Sequence, residues 1–156
     1  MKQVPDISSR EVAQECADFL FGHEEAIRSL GLKQLSIETG KAVVAMTVQP
    51  AMVSESGVTH GGAIFALADA VFSLACNTSN KRAVATHCSI SFLSPTRLGD
   101  YLIATATEVV RTPRSAIYEV IVTSGDELVA EFRANARAVG GPLLPTSIGN
   151  MSLEDE

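Results

Sequence analysis

The sequence predicts an α+β fold in which an antiparallel β-sheet wraps one long central helix at about residues 61–76. Three observations carry this. The elements run in blocks: helices first, then two strands, one helix and four strands joined by turn signals. The 61–76 segment is apolar on every side, with Ile64, Phe65, Leu67, Ala68, Val71, Phe72, Leu74 and Ala75, and a helix with no polar face is buried all round. The last strand alternates, with Leu128, Ala130, Phe132, Ala134 and Ala136 expected inward and Glu131, Arg133, Asn135 and Arg137 outward, as in a half-buried sheet.

Residues 1–31 are expected to form an N-terminal helical segment, 32–140 the main domain and 141–156 a mobile tail of Gly, Pro, Ser and acidic residues. In the first segment Ser8 or Ser9 can cap, Glu11 supports the first turn, and Val12, Cys16, Phe19 and Leu20 recur on one face. Gly22 is expected to break it, and Gly31 to end the second piece. Leu32–Thr39 and Ala42–Val48 read as a hairpin through Gly40-Lys41, and Pro50 stops its second strand. A loop with Ser54, Glu55, Ser56 and Gly57 leads to the central helix. In 83–93, Val84, Thr86, Cys88, Ile90 and Phe92 are expected on one face, and Ala83, Ala85, His87, Ser89 and Ser91 on the other. Strands follow at about 101–111 and 115–123, and Ser124-Gly125-Asp126-Glu127 is a hairpin turn.

Composition narrows the function. The chain is 46% apolar, which argues against disorder, and carries net charge −6, which argues against a nucleic-acid partner because that needs a basic footprint. Cys16, Cys76 and Cys88 form no C-x-x-C pair and read as free thiols in a reducing compartment. No apolar run after Met1 could serve as a signal peptide, and the 61–76 stretch is short for a membrane span. A cytoplasmic protein with no membrane partner is expected. His23, His60 and His87 lack the clustering of a zinc site, so no metal is called for, nor any cofactor.

The chemistry concentrates in His60-Gly61-Gly62 through Asp69. Asp69 is the only charged residue between His60 and Lys81, and an unpaired carboxylate in an apolar helix is costly. It either finds a local donor or faces a crevice. Gly61-Gly62 opens the helix, where the first N–H groups have no partner and the dipole adds positive charge; glycine lets a polarised carbonyl approach, or simply makes a tight turn. Gly61 and Asp69 lie roughly 12 Å apart along the axis at ~1.5 Å per residue, so one small reacting group cannot touch both. If both serve one reaction, the second comes from another copy, which favours a two-fold homodimer with sites at its interface.

The run His60-Gly61-Gly62 through Leu67-Ala68-Asp69, continuing to Phe72, Ala75, Cys76 and Asn77, resembles the phenylacetate-pathway (PaaI-type) thioesterases of the hot-dog superfamily. So do Ala83-Val84-Ala85-Thr86 through Ile90, Phe92, Leu93 and Pro95, and then Gly99-Asp100. The resemblance covers roughly 35–139. It implies a hot-dog fold, hydrolysis of an acyl-CoA substrate, and homotetramers built as dimers of dimers. Asp69 matches the acid that acts as nucleophile or general base, and Gly61 the amide that polarises the thioester carbonyl. His60 and Gly62 match positions lining the substrate, and Thr86 a position near the nucleophile or water. Ser54 stands where the family offers an Asn, and its hydroxyl reaches less far. Ser73, one turn after Asp69, is placed to support it or to pack. Arg111 and Arg114, flanking Pro113, are the expected phosphate contacts. A dehydratase on the same fold is disfavoured by the sequence setting. A non-catalytic acyl-CoA sensor is the other reading.

Overall fold

The computed structural model describes residues 8–145, which carry ten short elements in the predicted order. Helices α1 (Ser9–His23) and α2 (Glu25–Ser29) precede strands β1 (Lys33–Glu38) and β2 (Lys41–Thr47) and a 3-10 turn at Pro50–Met52. Helix α3 (Gly61–Cys76) follows, then β3 (Ala83–Phe92), β4 (Tyr101–Arg111), β5 (Ser115–Ser124) and β6 (Glu127–Ala138). The strands form one antiparallel sheet in the order β1-β2-β4-β5-β6-β3. No described helix is long and apolar enough to cross a membrane.

Helix α1 starts in a capping box: Glu11 N–H donates to Ser8 Oγ, and Ser8 N–H to Glu11 Oε2. It breaks at Glu24 (φ −107°, ψ 106°) rather than at Gly22. The His23 ring stacks on Phe19 with centroids 4.1 Å apart, and its Nδ1 lies 2.8 Å from the Phe19 carbonyl oxygen. These contacts hold the last turn past the glycine. Ala13, Cys16 and Ala17 are fully buried, so the N-terminal segment shares the core of the main domain.

Helix α3 packs across the sheet. Leu67, Val71 and Leu74 are fully buried, and Phe72 meets Tyr118 of β5 edge-on at 5.6 Å while Phe65 meets Phe132 of β6 at 5.3 Å. Burying Phe72 or Leu67 contributes about 1.5–3 kcal/mol each, and this fixes the helix, and Asp69 with it, against the strands.

Four register shifts interrupt the ladders, and those in β3 and β6 overturn expected facings. Ala85 pairs with Ala136 and His87 with Asn135, so Thr86 is an extra residue in β3. The inner side therefore carries Ala83 and Ala85 before the bulge and Cys88 and Ile90 after it. The single face expected for Val84, Thr86 and Cys88 does not exist; Val84 is exposed. In β6, Thr123 pairs with Leu128 and Val122 with Ala130, leaving Val129 as the surplus residue. Val129 is buried, and Leu128, expected inward, is exposed.

Strand β3 is an edge of the sheet and pairs on one side only, with β6. Val84, Phe92 and the following Leu93 are about half exposed along it. The chain beyond β6 does not start as a free tail. Arg82 N–H donates to the Gly141 carbonyl and Leu144 N–H to Asn80 Oδ1, and Leu143 is buried, so 141–145 form a strap beside β3. The rest of the expected mobile tail, 146–156, lies outside the described residues.

Candidate active site

The first crevice lies at the start of α3. His60 is the N-cap (φ −59°, ψ 137°), its ring exposed and making no capping bond. The loop before it is held by Thr59 N–H to the Thr96 carbonyl and by Thr96 Oγ1 to Thr59 Oγ1, both at 2.8 Å, and by His60 N–H to the Met52 carbonyl at 2.8 Å. Gly61 and Gly62 then present amides with no acceptor within the helix. A Cβ at Gly61 would sit 2.9 Å from Phe92 Cζ, so only glycine fits without moving the ring; Gly62 has open space around it. Gly61, Ile64, Phe92 and Leu93 line this crevice. Ser54 lies outside its lining. It closes a turn, accepting from Gly57 N–H, with its Oγ 2.9 Å from Ser56 Oγ.

The second crevice holds Asp69. It is walled by Leu20, Glu24, Phe72, Ser73, Ala85 and Leu143. Asp69 is partly buried, and among the described residues its carboxylate makes no hydrogen bond or ion pair. Burial raises its pKa above the ordinary aspartate range. Glu24 faces the same space and is also raised, first by burial and then by the charge of Asp69. Ser73 shares the crevice, but no hydrogen bond joins it to Asp69. Asn77 is locked, donating to the Ser73 carbonyl at 2.9 Å and accepting from Ala83 N–H at 3.0 Å. Burial pushes the Cys76 thiol up to about 12, which makes it inert as a nucleophile. Thr86 stands apart on its bulge, its Oγ1 donating to the Asn135 carbonyl at 3.3 Å.

A third, basic cleft adjoins the second, sharing Cys76 and Ala83 with it. Lys81, Arg111, Thr112, Pro113 and Arg114 line it. Arg111 is already engaged: its Nε and Nη2 donate to Glu108 Oε2 at 3.0 and 2.8 Å, and Nη2 donates to Tyr118 Oη at 3.2 Å. Tyr118 Oη donates to the same Glu108 oxygen at 2.9 Å. The hydrogen bonds from Arg111 hold Glu108 below the usual carboxylate range, and burial raises the Tyr118 phenol. Among the described residues Arg114 and Lys81 pair with no carboxylate.

Apart from Thr86, the predicted residues fall into three groups. His60, Gly61 and Gly62 stand at one end of α3, with Ser54 in the turn before it. Asp69 and Ser73 lie in a second crevice, and Arg111 and Arg114 in a third. Glu24 and Leu143 border the second crevice without having been singled out in sequence; Arg82 borders it too, and Lys81, another cation legible in sequence as a partner for CoA, borders the third.

The thioesterase superfamily profile matches residues 56–131, which contain Gly61, Asp69 and Phe92. The acyl-coenzyme A thioesterase PaaI of Escherichia coli is 36% identical over 132 residues, covering 84% of this chain and 94% of that protein. The solved structure of E. coli PaaI superposes with a TM-score of 0.84 at 34% identity, over 86% of this chain and 99% of that one. A phenylacetic acid degradation protein PaaI from Thermus thermophilus superposes at 0.70 with 39% identity, over 72% and 97%. A Streptococcus mutans protein solved bound to acetyl CoA superposes at 0.69 with 27% identity, over 71% and 90%. The sheet wrapped on α3 is the hot-dog fold, and the chain belongs to the thioesterase superfamily, among its PaaI-type members.

Proposed function

We propose that the protein hydrolyses acyl-CoA thioesters to the free acid and CoA, at sites completed by two copies of the chain. The observation that carries this is an unpaired, partly buried carboxylate, Asp69, in one crevice, on a helix whose own N-terminal amides open into another. The free edge of β3, with Val84, Phe92 and Leu93 exposed, is where a second copy would pair. A two-fold there would bring Gly61 of one protomer to Asp69 of its mate. The E. coli relative is named for acyl-CoA thioesterase activity, and the S. mutans neighbour carries acetyl CoA.

In this reading Asp69 acts as nucleophile or as general base. As base it takes a proton from water; the hydroxyl oxygen bonds to the thioester carbon, and the carbonyl oxygen takes the charge. The Gly61 amide, at the positive end of the helix dipole, donates to that oxygen. The C–S bond then breaks and the CoA thiolate takes up a proton. His60 and Gly62 stand at the donor end and Ser73 beside the carboxylate, while Ser54, in its turn, and Thr86, on its bulge, lie outside both crevices. The basic cleft receives the CoA phosphates, chiefly on Arg114 and Lys81, with Arg111 held beside them by Glu108. The active unit is a homodimer, paired further into a homotetramer. Three free thiols suit the reducing cytoplasm, where this reading puts the enzyme.

The test is thiol release from a panel of acyl-CoAs, followed by mixing two inactive variants. Asp69→Asn removes the carboxylate, and Gly61→Pro removes the donor N–H at the first helical position, where the backbone admits proline and the Phe92 ring must shift for its Cβ. Each alone is expected to be inactive. Co-refolded in equal amounts, they are expected to regain about a quarter of wild-type turnover, since half the dimers carry one intact site. No recovery would reject the shared site. Tight acyl-CoA binding with no thiol release by the wild type would make the protein a sensor.

A further inference from the structure

We propose that the acyl group lies in the Asp69 crevice against a wall built by the end of α1 and the 141–145 strap, and that this wall selects short, uncharged acyl groups. The inference rests on Asp69 being the reacting carboxylate. A thioester has two arms leaving the reacting carbon, and the surroundings of Asp69 assign them. Beyond Cys76 and Ala83 lies the cleft with Lys81, Arg111 and Arg114, which attracts the anionic CoA arm. The crevice itself is lined by Leu20, Phe72, Ala85 and Leu143. Leu20, Phe72 and Leu143 are each at most 4% exposed, so this surface is packed and fixed. It offers an apolar arm a floor, and the cation in the lining, Arg82, is engaged with the Leu143 carbonyl.

Length is limited by the same packing. The crevice holds about 280 Å³, at the lower edge of ordinary small-ligand pockets, roughly 300 Å³. Leu143 lines it, and the strap bearing Leu143 is tied down by Arg82, whose Nη2 donates to the Leu143 carbonyl at 3.4 Å and whose N–H donates to that of Gly141. Arg82 thereby anchors the wall and makes no ion pair with Glu24 or Asp69. Glu24 is the N-cap of α2, yet its side chain caps nothing. It faces the crevice instead, where a second negative charge repels any acyl group that ends in a carboxylate.

The position of these residues in the chain supports a selective role. Gly61, Asp69 and Phe72 lie within the segment that matches the superfamily, 56–131, whereas Leu20, Glu24 and Leu143 all lie outside it. Chemistry and selection are thus carried by different parts of the chain.

The experiment compares kcat/KM for butyryl-, octanoyl- and glutaryl-CoA in the full-length protein and in Leu143→Ala, Leu143→Phe, Glu24→Gln and Glu24→Asp, each checked for fold by circular dichroism. Leu143→Ala is expected to raise the octanoyl-to-butyryl ratio about five-fold, mainly through KM, and Leu143→Phe to lower it. Glu24→Gln is expected to raise the glutaryl-to-butyryl ratio about ten-fold, with Glu24→Asp close to wild type. If Leu143→Ala fails to fold, Leu143→Phe and Glu24→Gln still decide. Ratios within about two-fold of wild type in the folded variants, with Asp69→Asn inactive, overturn the proposal. Turnover that survives in Asp69→Asn removes the catalytic reading and the proposal with it.

Discussion

The two halves of α3 are built on opposite physical terms. Its first turn supplies donors: the amides of Gly61 and Gly62, bare of intrahelical partners, with the ring of Phe92 beside Gly61. Its second half supplies an acceptor, Asp69, held without a partner between apolar walls. Neither half is balanced on its own. The donor end has no acceptor, and the acceptor has no donor, so each is primed for a group from outside the protomer. The difference teaches that one helix can carry a complete reaction kit and still be unable to use it alone, because roughly 12 Å of helix separates the parts.

The sharpest way to break this comparison is to neutralise the acceptor. Asp69→Asn keeps the shape and is expected to lower kcat by about 10³-fold or more, read by thiol release. The donor end follows. Gly61→Ala keeps the N–H but drives a Cβ to 2.9 Å from Phe92 Cζ, and a loss of about 10-fold to 100-fold in kcat is expected. Adding Phe92→Leu should restore much of it, whereas it should not rescue Gly61→Pro. Smaller effects are expected in the basic cleft. Lys81→Ala and Arg114→Ala should raise KM several-fold, roughly 3–10, with the penalty shrinking at high salt. Arg111→Ala should act chiefly on stability, costing about 1–2 kcal/mol in denaturant melts, because it strips Glu108 and Tyr118 of their partner.

The smallest predicted effect concerns pH. Burial raises the folded-state pKa of Asp69, so its charge costs stability above that raised value, and the cost vanishes as pH falls below the ordinary aspartate range, near ~4. Asp69→Asn should therefore melt about 1–3 °C higher than wild type at pH 7 and lose that advantage below about pH 4. The same raised pKa places the acid limb of kcat/KM above that of an ordinary aspartate. A wild type that melts higher than Asp69→Asn at neutral pH would show that the carboxylate is satisfied after all.

Much of the architecture was legible because burial writes strong patterns. The apolar run from Gly61 to Cys76 matches α3 at both ends, and the turn residues at Gly40 and Gly125 fall in hairpins with positive φ. What escaped were single-residue insertions. Small residues such as Ala83, Ala85, Ser89 and Ser91 give weak alternation, so the surplus Thr86 left no mark in the pattern. Another insertion lies at Val109, between Glu108 and Val110. In a regular strand Glu108 and Arg111 would point to opposite faces; the bulge turns both to one side and ties up the arginine expected to hold phosphate. Glu24 and Leu143 were illegible for a different reason. They reach Asp69 only through tertiary packing of segments that are polar and irregular in sequence.

The bulge at Thr86 also bears on the size of the space beside the carboxylate. Were β3 ironed into strict alternation from Cys88 backwards, Thr86 would take the inward place that Ala85 now holds beside Asp69. One surplus residue shifts the phase of the strand and sets the methyl group of Ala85 where the branched side chain of Thr86 would stand. Room for a guest is made here by a change of frame, with no residue in the lining replaced.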